Sequence, residues 1–368
     1  MAISKIVVLG AGHGGQASAG SLALSGFEVN LFELPEFKQG IEPIIKRGGI
    51  EVKRASAREF AKLNIVTTDI EKALKDVDLV VVTVPAYGHQ KMIGLCIPHL
   101  EDGQRILVHP GHPGGALESY VVLKQWKVED KVEIGETNTL AYMCRITGPG
   151  EVTIFLVTKK MFAAAFPALG TSKFVDDLKK VFPATVAATN VMETGLEDLN
   201  CPLHVPVTLM NAARVEFEKG AFPFYREGAT PSVAKMIERV DKERLAIARA
   251  LKLREISYQN LLFESGWMSS PQKTVYEALA TSDPLKPMSG PNSLQHRYIT
   301  EDVPYGLVPY VSIGEMLGID MPITRAFVDL ACAVNEVNYW ASGRTVEKLH
   351  IAGLDTHRLS EFLRTGKI

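Results

Sequence analysis

A chain of 368 residues, 46% hydrophobic and 22% charged, is long enough for two globular domains and too apolar to be disordered. Its 40 basic and 42 acidic side chains leave a net charge of −2 with no run of one sign, which argues against a nucleic-acid or membrane-surface protein. Four cysteines, Cys96, Cys144, Cys201 and Cys332, make neither a CxxC pair nor a disulfide framework, so a reducing compartment is expected.

The chain opens MAISKIVVLGAGHGG. Its apolar run is short, ends in glycines and lacks a small-residue cleavage site, so it does not read as a signal peptide. No stretch reaches the ~18 apolar residues of a membrane helix. A cytoplasmic protein is expected. KIVVLG (5–10) reads as a buried strand, Gly15 to Ser25 as a helix, and FEVNLFE (27–33) as a second strand. DVDLVVVTVP (76–85), QRILVHPG (104–111) and KVEIGET (131–137) continue the series. Continuous β-branched runs with helix-length spacers predict a parallel sheet covered on both faces. EVTIFLVTKK (151–160) and MFAAAFPA (161–168) read as further strands, Phe174 to Val181 as a helix and TVAATN (185–190) as a last short strand.

The texture changes near residue 190, where strand-like runs stop. Thr230-Pro231 is a helix start, a capping hydroxyl followed by proline at the first helical position. Apolar residues then recur at Val233, Ile237, Val240, Ala248 and Leu251, and again at Ile323, Phe327, Leu330, Val334 and Val337, at helical spacing. The fold class expected is an α/β Rossmann-type dinucleotide-binding domain over 1–190 and an all-α domain over 191–368, joined without a linker and with a cleft between them.

Gly10-Ala11-Gly12-His13-Gly14-Gly15 fits G-x-G-x-x-G between a strand and a helix, the context that gives this motif meaning. The first glycine permits the turn, the second lets backbone approach a pyrophosphate, and the third lets helix and strand pack closely. Glu33 ends the second strand, about 20 residues on, where a carboxylate accepts from a ribose 2′-OH and repels a 2′-phosphate. NAD(H) is therefore expected over NADP(H). Loops at strand ends border the cofactor in this fold, which brings in Val84-Pro85-Ala86 and the segment from His109 to Gly115. His109 and His112 form an H-x-x-H pair, but the prolines and glycines make a turn and no carboxylate or cysteine partner stands out. No metal is expected.

The helical half carries two polar patches in apolar surroundings, PLHVPVTLMNAAR (202–214) and QHRYITEDVPYGLVP (295–309). A hydride-transfer enzyme needs a proton donor and a cation for an acidic substrate. His204 titrates near neutrality, Asp302 is suited to orient an imidazole, and Arg297 to hold a carboxylate bidentately. Taken alone, His204 equally suits a satisfied core histidine, and Arg297 and Asp302 a local ion pair or turn cap.

These motifs, with GGALE at 114–118, GETNTLAYMCR at 135–145, EGATPSV at 227–233 and GPNSLQHRYITEDVPYGLVP at 290–309, make the chain resemble the opine dehydrogenases of the octopine/nopaline type over nearly its whole length. The resemblance implies a Rossmann-type domain followed by a helical domain. It places the catalytic histidine on His204, its aspartate partner on Asp302, the substrate-binding arginine on Arg297 and a substrate-side acid on Glu136. Glu33 departs from the Asp of a close bacterial relative, and either carboxylate serves a ribose. The implied reaction condenses the amine of an amino acid with a 2-oxo acid such as pyruvate and reduces the imine with hydride from NADH. A homodimer is implied as well. Two other functions remain open on the residues alone. A reductase of simple 2-oxo acids on the same plan would commonly use a lysine acid, whereas Lys235 and Lys242 look solvated. A redox-sensing NAD(H)-binding protein would show no amine-dependent NADH oxidation.

Overall fold

The apolar runs read from the sequence become the middle of an eight-stranded sheet in the computed structural model, which describes residues 3–55 and 57–367. The strands are β1 (Lys5–Leu9), β2 (Glu28–Phe32), β3 (Gly49–Arg54), β4 (Ala57–Lys62), β5 (Ile65–Thr67), β6 (Leu79–Val82), β7 (Arg105–Val108), β8 (Glu133–Thr137), β9 (Tyr142–Gly148), β10 (Glu151–Val157), β11 (Met161–Phe166) and β12 (Thr185–Ala187). The large sheet runs β12-β11-β8-β7-β6-β1-β2-β5. β1 lies parallel between β2 and β6, so the order reverses beside it and the carboxyl end of β1 is a topological switch point. β6 and β7 are buried along their whole length, as expected of strands covered on both faces.

Two expectations are corrected here. The run 151–160 is a strand, but β10 belongs to a separate four-stranded sheet, β4-β3-β10-β9. β11 joins the large sheet antiparallel to β8, so that sheet is mixed. The second sheet escaped the sequence reading because β3 and β4 are GIEVKR and AREFAK, rich in charge, with β4 almost wholly exposed. Cross-strand ion pairs order them: Arg54 with Glu59 at 3.1 Å, Lys53 with Glu151 at 2.7 Å, and Arg58 with Glu51.

The chain divides into two compact units. One comprises the residues through Gly111 together with Gly115–Val191; the other comprises His112–Gly114 and Met192–Ile368. In the second unit the described elements are helices, apart from one isolated bridge between Pro223 and Ser289. The helix Pro231–Ala250 starts as its sequence predicts, with the Thr230 hydroxyl accepting from the Val233 N–H and Pro231 in the first turn. Val233, Ile237, Val240, Ala248 and Leu251 are buried, and Lys235 and Lys242 are exposed. The helix Pro322–Asn335 turns a different face inward from the one its apolar spacing predicts. Leu330, Val334 and Val337 are exposed, while Thr324, Phe327, Val328, Ala331 and Asn335 are buried. Polar anchors decide the rotation. Glu243 accepts from the N–H groups of Ile323 and Thr324 at 2.9 and 2.8 Å, and the Asn335 amide donates to the Leu294 carbonyl at 3.0 Å. Among the described residues no helix is long and apolar enough to cross a membrane.

Candidate active site

In the first unit the three glycines of the motif do three different jobs. Gly10 sits at φ +98°, and a Cβ there would lie 2.7 Å from the Val84 side chain. A Cβ on Gly15 would lie 1.8 Å from the Gly10 carbonyl oxygen, so only glycine lets the helix His13–Leu24 start against the strand end. A Cβ on Gly12 would meet nothing within 4 Å. That open space stands at the N-terminus of a helix with no side-chain cap, where unpaired N–H groups attract an anion. The residues present therefore fit a dinucleotide pyrophosphate.

Glu33 reinforces the fit. One carboxylate oxygen accepts from the Ala11 N–H and the other from its own neighbour Leu34, both at 2.8 Å, which fixes the carboxylate beside the glycine loop. Val84 and Pro85 follow β6 against Gly10. Thr83, which sequence reading passed over, donates its hydroxyl to the Leu9 and Gly10 carbonyls at 2.9 and 3.0 Å and ties the two strand ends together. Its hydroxyl beside an apolar run was the only signal. The His13 ring accepts from the Ile146 N–H at 3.0 Å, so it anchors β9 to the start of the helix. Glu136 is fully buried, and its Oε2 accepts from the Ala116 N–H at 2.6 Å, at the start of the helix Gly115–Gln125. Sequence reading missed that capping role.

The H-x-x-H pair is split between the units. His109 is buried with Nδ1 against Thr137 Oγ1 at 2.7 Å and Nε2 accepting from the Ala141 N–H at 3.1 Å. Burial holds its pKa down to about 3, so it is a neutral framework residue. His112 in the second unit corrects the expectation that no carboxylate partner exists. Its Nδ1 lies 2.7 Å from Asp198 Oδ2 and its Nε2 3.3 Å from Glu301 Oε1. Burial opposes its charge, but Asp198 and Glu301 override burial and push its pKa up to about 10. One ligand atom each from His112, Glu301 and Asp302 falls within a 4.8 Å group. With His112 held charged by Asp198 and Glu301, the cluster forms a compensated charge network.

His204 lies on the helix Cys201–Met210, whose N-terminus is held by Asp198 Oδ1 accepting from the Asn200 and Cys201 N–H groups at 2.5 and 3.1 Å. Asp302 stands just before a π-helical turn, Val303–Leu307. Wide turns of that kind recur at functional sites. Gly306 in the turn lets it press against the His204 helix, since a Cβ there would sit 2.3 Å from Cys201 Cβ. The two segments, 98 residues apart, thereby meet with His204 Nδ1 2.7 Å from Asp302 Oδ2. Tyr298 stacks on the imidazole with ring centroids 3.7 Å apart, and the Tyr225 hydroxyl lies 2.9 Å from Nε2. Burial, reinforced by the Arg297 charge, lowers the His204 pKa to about 3, while burial raises that of Asp302. The imidazole therefore rests neutral. Desolvation outweighs the charge-favouring effect of the nearby carboxylates. Arg297, on the short helix Arg297–Thr300, is half exposed with its Nε 3.4 Å from Glu301.

The structure thus brings Asp302 to His204 and, through Glu301, sets Arg297 in the same cluster. Gly10, Gly12, Gly14, Gly15, Glu33, Val84 and Pro85 gather in the first unit.

Residues 187–335 match the family model for the NAD/NADP octopine/nopaline dehydrogenase alpha-helical domain, and residues 6–109 match the ketopantoate reductase PanE/ApbA model. The chain is 36% identical to an opine dehydrogenase of Arthrobacter sp. (strain 1C) over 347 residues, covering 94% of this chain and 95% of that one. Its fold is similar to that of octopine dehydrogenase solved with NADH and agmatine, with TM-score 0.80, 19% identity, and 99% and 98% of the two chains covered. The same enzyme with NADH and L-arginine superposes with TM-score 0.79 at 19% identity and the same coverage. The chain belongs to the opine dehydrogenase family.

Proposed function

We propose that this chain joins the amine of an amino acid to a 2-oxo acid and reduces the resulting imine, with His204 as the proton-handling group. The buried dyad of His204 and Asp302 carries the reading, because the proton steps of an imine cycle need a base held in one tautomer. Asp302 accepts the Nδ1 proton, which leaves the Nε2 lone pair as the basic position and stabilises the imidazolium that forms. His204 takes a proton from the attacking amine and returns one when the carbinolamine loses water. Arg297 supplies a guanidinium for a substrate carboxylate. Glu136 is the substrate-side acid of this reading as well as a helix anchor. NADH, held at the glycine loop and Glu33, supplies the hydride.

NADH is preferred over NADPH, on the strength of the Glu33 carboxylate beside the loop. The family resemblance supports a homodimer, and the lack of a membrane-spanning helix among the described residues agrees with a cytoplasmic enzyme. A reductase of simple oxo acids is disfavoured because Lys235 and Lys242 are exposed on the helix Pro231–Ala250, as solvated lysines would be. The test is NADH oxidation with amino acid and oxo acid each omitted in turn. Oxidation that needs both supports the reading; oxidation with the oxo acid alone overturns it.

A further inference from the structure

The imidazole of His204 is engaged on three sides. Asp302 takes Nδ1, Tyr298 covers one ring face, and Tyr225 holds Nε2. With Asp302 assigned as the carboxylate acceptor on Nδ1, the role a triad carboxylate plays, that nitrogen carries the ring proton and Nε2 is the acceptor. The Tyr225 O–H therefore donates to Nε2, at 2.9 Å. The one basic position of the dyad is thus addressed by a hydroxyl.

We propose that Tyr225 is a further catalytic residue, a proton relay between His204 and the reacting carbinolamine; this rests on the dehydrogenase reading above. The amino acid enters as its ammonium ion, and one nitrogen proton passes to Tyr225 Oη while the Tyr225 proton passes to His204 Nε2. The freed amine attacks the carbonyl carbon, and a second nitrogen proton moves through Tyr225 to the new alkoxide to give the neutral carbinolamine. In the dehydration step the direction reverses. The imidazolium returns its Nε2 proton to Tyr225, whose own proton goes to the carbinolamine hydroxyl. The carbon–oxygen bond breaks, water leaves with that electron pair, and the nitrogen lone pair forms the carbon–nitrogen double bond. The relay is charged only while His204 holds the ammonium proton and is neutral again once water has left; of the three ammonium protons, one ends on the iminium nitrogen and two in water.

The surroundings suit the role. Tyr225 lies on the short helix Phe224–Glu227 and is 5% exposed. Its ring is fixed edge-on by Phe224, with centroids 4.9 Å apart. The Tyr298 hydroxyl lies 3.5 Å from Tyr225 Oη and can donate to the oxygen whose proton is committed to His204. The titratable groups facing Tyr225 include His204 and Tyr298, with Asp302 behind the imidazole. A tyrosine two residues from the end of a phenylalanine-rich stretch, AFPFYRE (221–227), reads in the sequence as ordinary core, which is why it drew no notice.

Tyr225→Phe removes the hydroxyl and keeps the ring. General acid–base help is typically about 10²–10⁴-fold, and water can replace part of it, so kcat should fall at least about tenfold. KM for both substrates and the Kd for NADH should stay near their original values. A kcat within threefold of the unaltered chain, or above it, overturns the relay, and a loss confined to KM assigns the hydroxyl to substrate binding instead. If Tyr225→Phe melts at a lower temperature, replacing Tyr225 with 3-fluorotyrosine decides. Its more acidic phenol should move a limb of the kcat pH profile to lower pH, whereas an unmoved profile overturns the proposal. An unaltered chain with no amine-dependent NADH oxidation would sink the functional reading itself; full turnover in Tyr225→Phe sinks the relay alone.

Discussion

His112→Gln tests the charge network beside the dyad. The imidazolium is 3% exposed and lies between Asp198 at 2.7 Å and Glu301 at 3.3 Å. It also sits at φ +53°, a left-handed conformation that costs a residue with a side chain and persists where surroundings hold it. Glutamine keeps a hydrogen-bond donor but removes the charge, leaving buried carboxylates uncompensated at a cost of about 3–5 kcal/mol. At roughly 2–4 °C per kcal/mol for a domain of this size, melting should drop by about 6–20 °C at pH 6. The pH dependence is the sharper reading. The folded-state pKa of about 10 lies above the usual histidine value of 6.5. The stabilisation is therefore full below pH 6.5 and is lost as pH rises towards 10, by at most about 1.4 kcal/mol per pH unit. Melting curves of both proteins at pH 6, 7, 8 and 9 should show a gap that narrows steadily upward. A gap of constant size across that range would refute the assignment of a buried imidazolium.

Glu33→Arg should shift the kcat/KM ratio toward NADPH, because a cation replaces a carboxylate at the 2′ position; an unchanged ratio would remove Glu33 from nucleotide selection. Arg297→Lys replaces a planar fork by a point charge and should raise KM for an acidic substrate while NADH affinity holds. Retention of the original KM for both substrates counts against the anchoring role. His204→Ala should lower kcat by about 10²–10⁴-fold. Asp302→Asn should also cost a large factor, since an amide can fix the wrong tautomer. The double variant should be little worse than His204→Ala, because groups acting as a unit do not lose activity multiplicatively.

The nucleotide half of the molecule was legible because its signals are local. β1, the glycine turn and the following helix are contiguous, and each glycine's job follows from its place in that turn. The fold class was legible in the apolar runs and the change of texture near residue 190, whereas the His204–Asp302 pairing became readable through the family resemblance; spacing alone does not join residues 98 positions apart. What joins them is the contact of Gly306 with Cys201, which no periodicity reports. The partners of His112 were hidden for the same reason, since Asp198 and Glu301 come from distant segments. The second sheet was missed because β4 is almost wholly exposed and the short alternation of Ile50 and Val52 in β3 is set among charged residues. The inward face of the helix Pro322–Asn335 was misread because Glu243 and Asn335, rather than its leucine and valines, set its rotation.

Isotope tracing of the product addresses the central claim, that hydride reaches a carbon already bonded to an amino-acid nitrogen. The enzyme would be supplied with a ¹⁵N-labelled amino acid, pyruvate and NADH deuterated at the transferred position of the nicotinamide, and the product examined by mass spectrometry and NMR. The account predicts a secondary amine that retains the ¹⁵N and carries one deuterium on the carbon that was the pyruvate carbonyl. Deuterium found in a 2-hydroxy acid, with the labelled amino acid recovered unchanged, would contradict it.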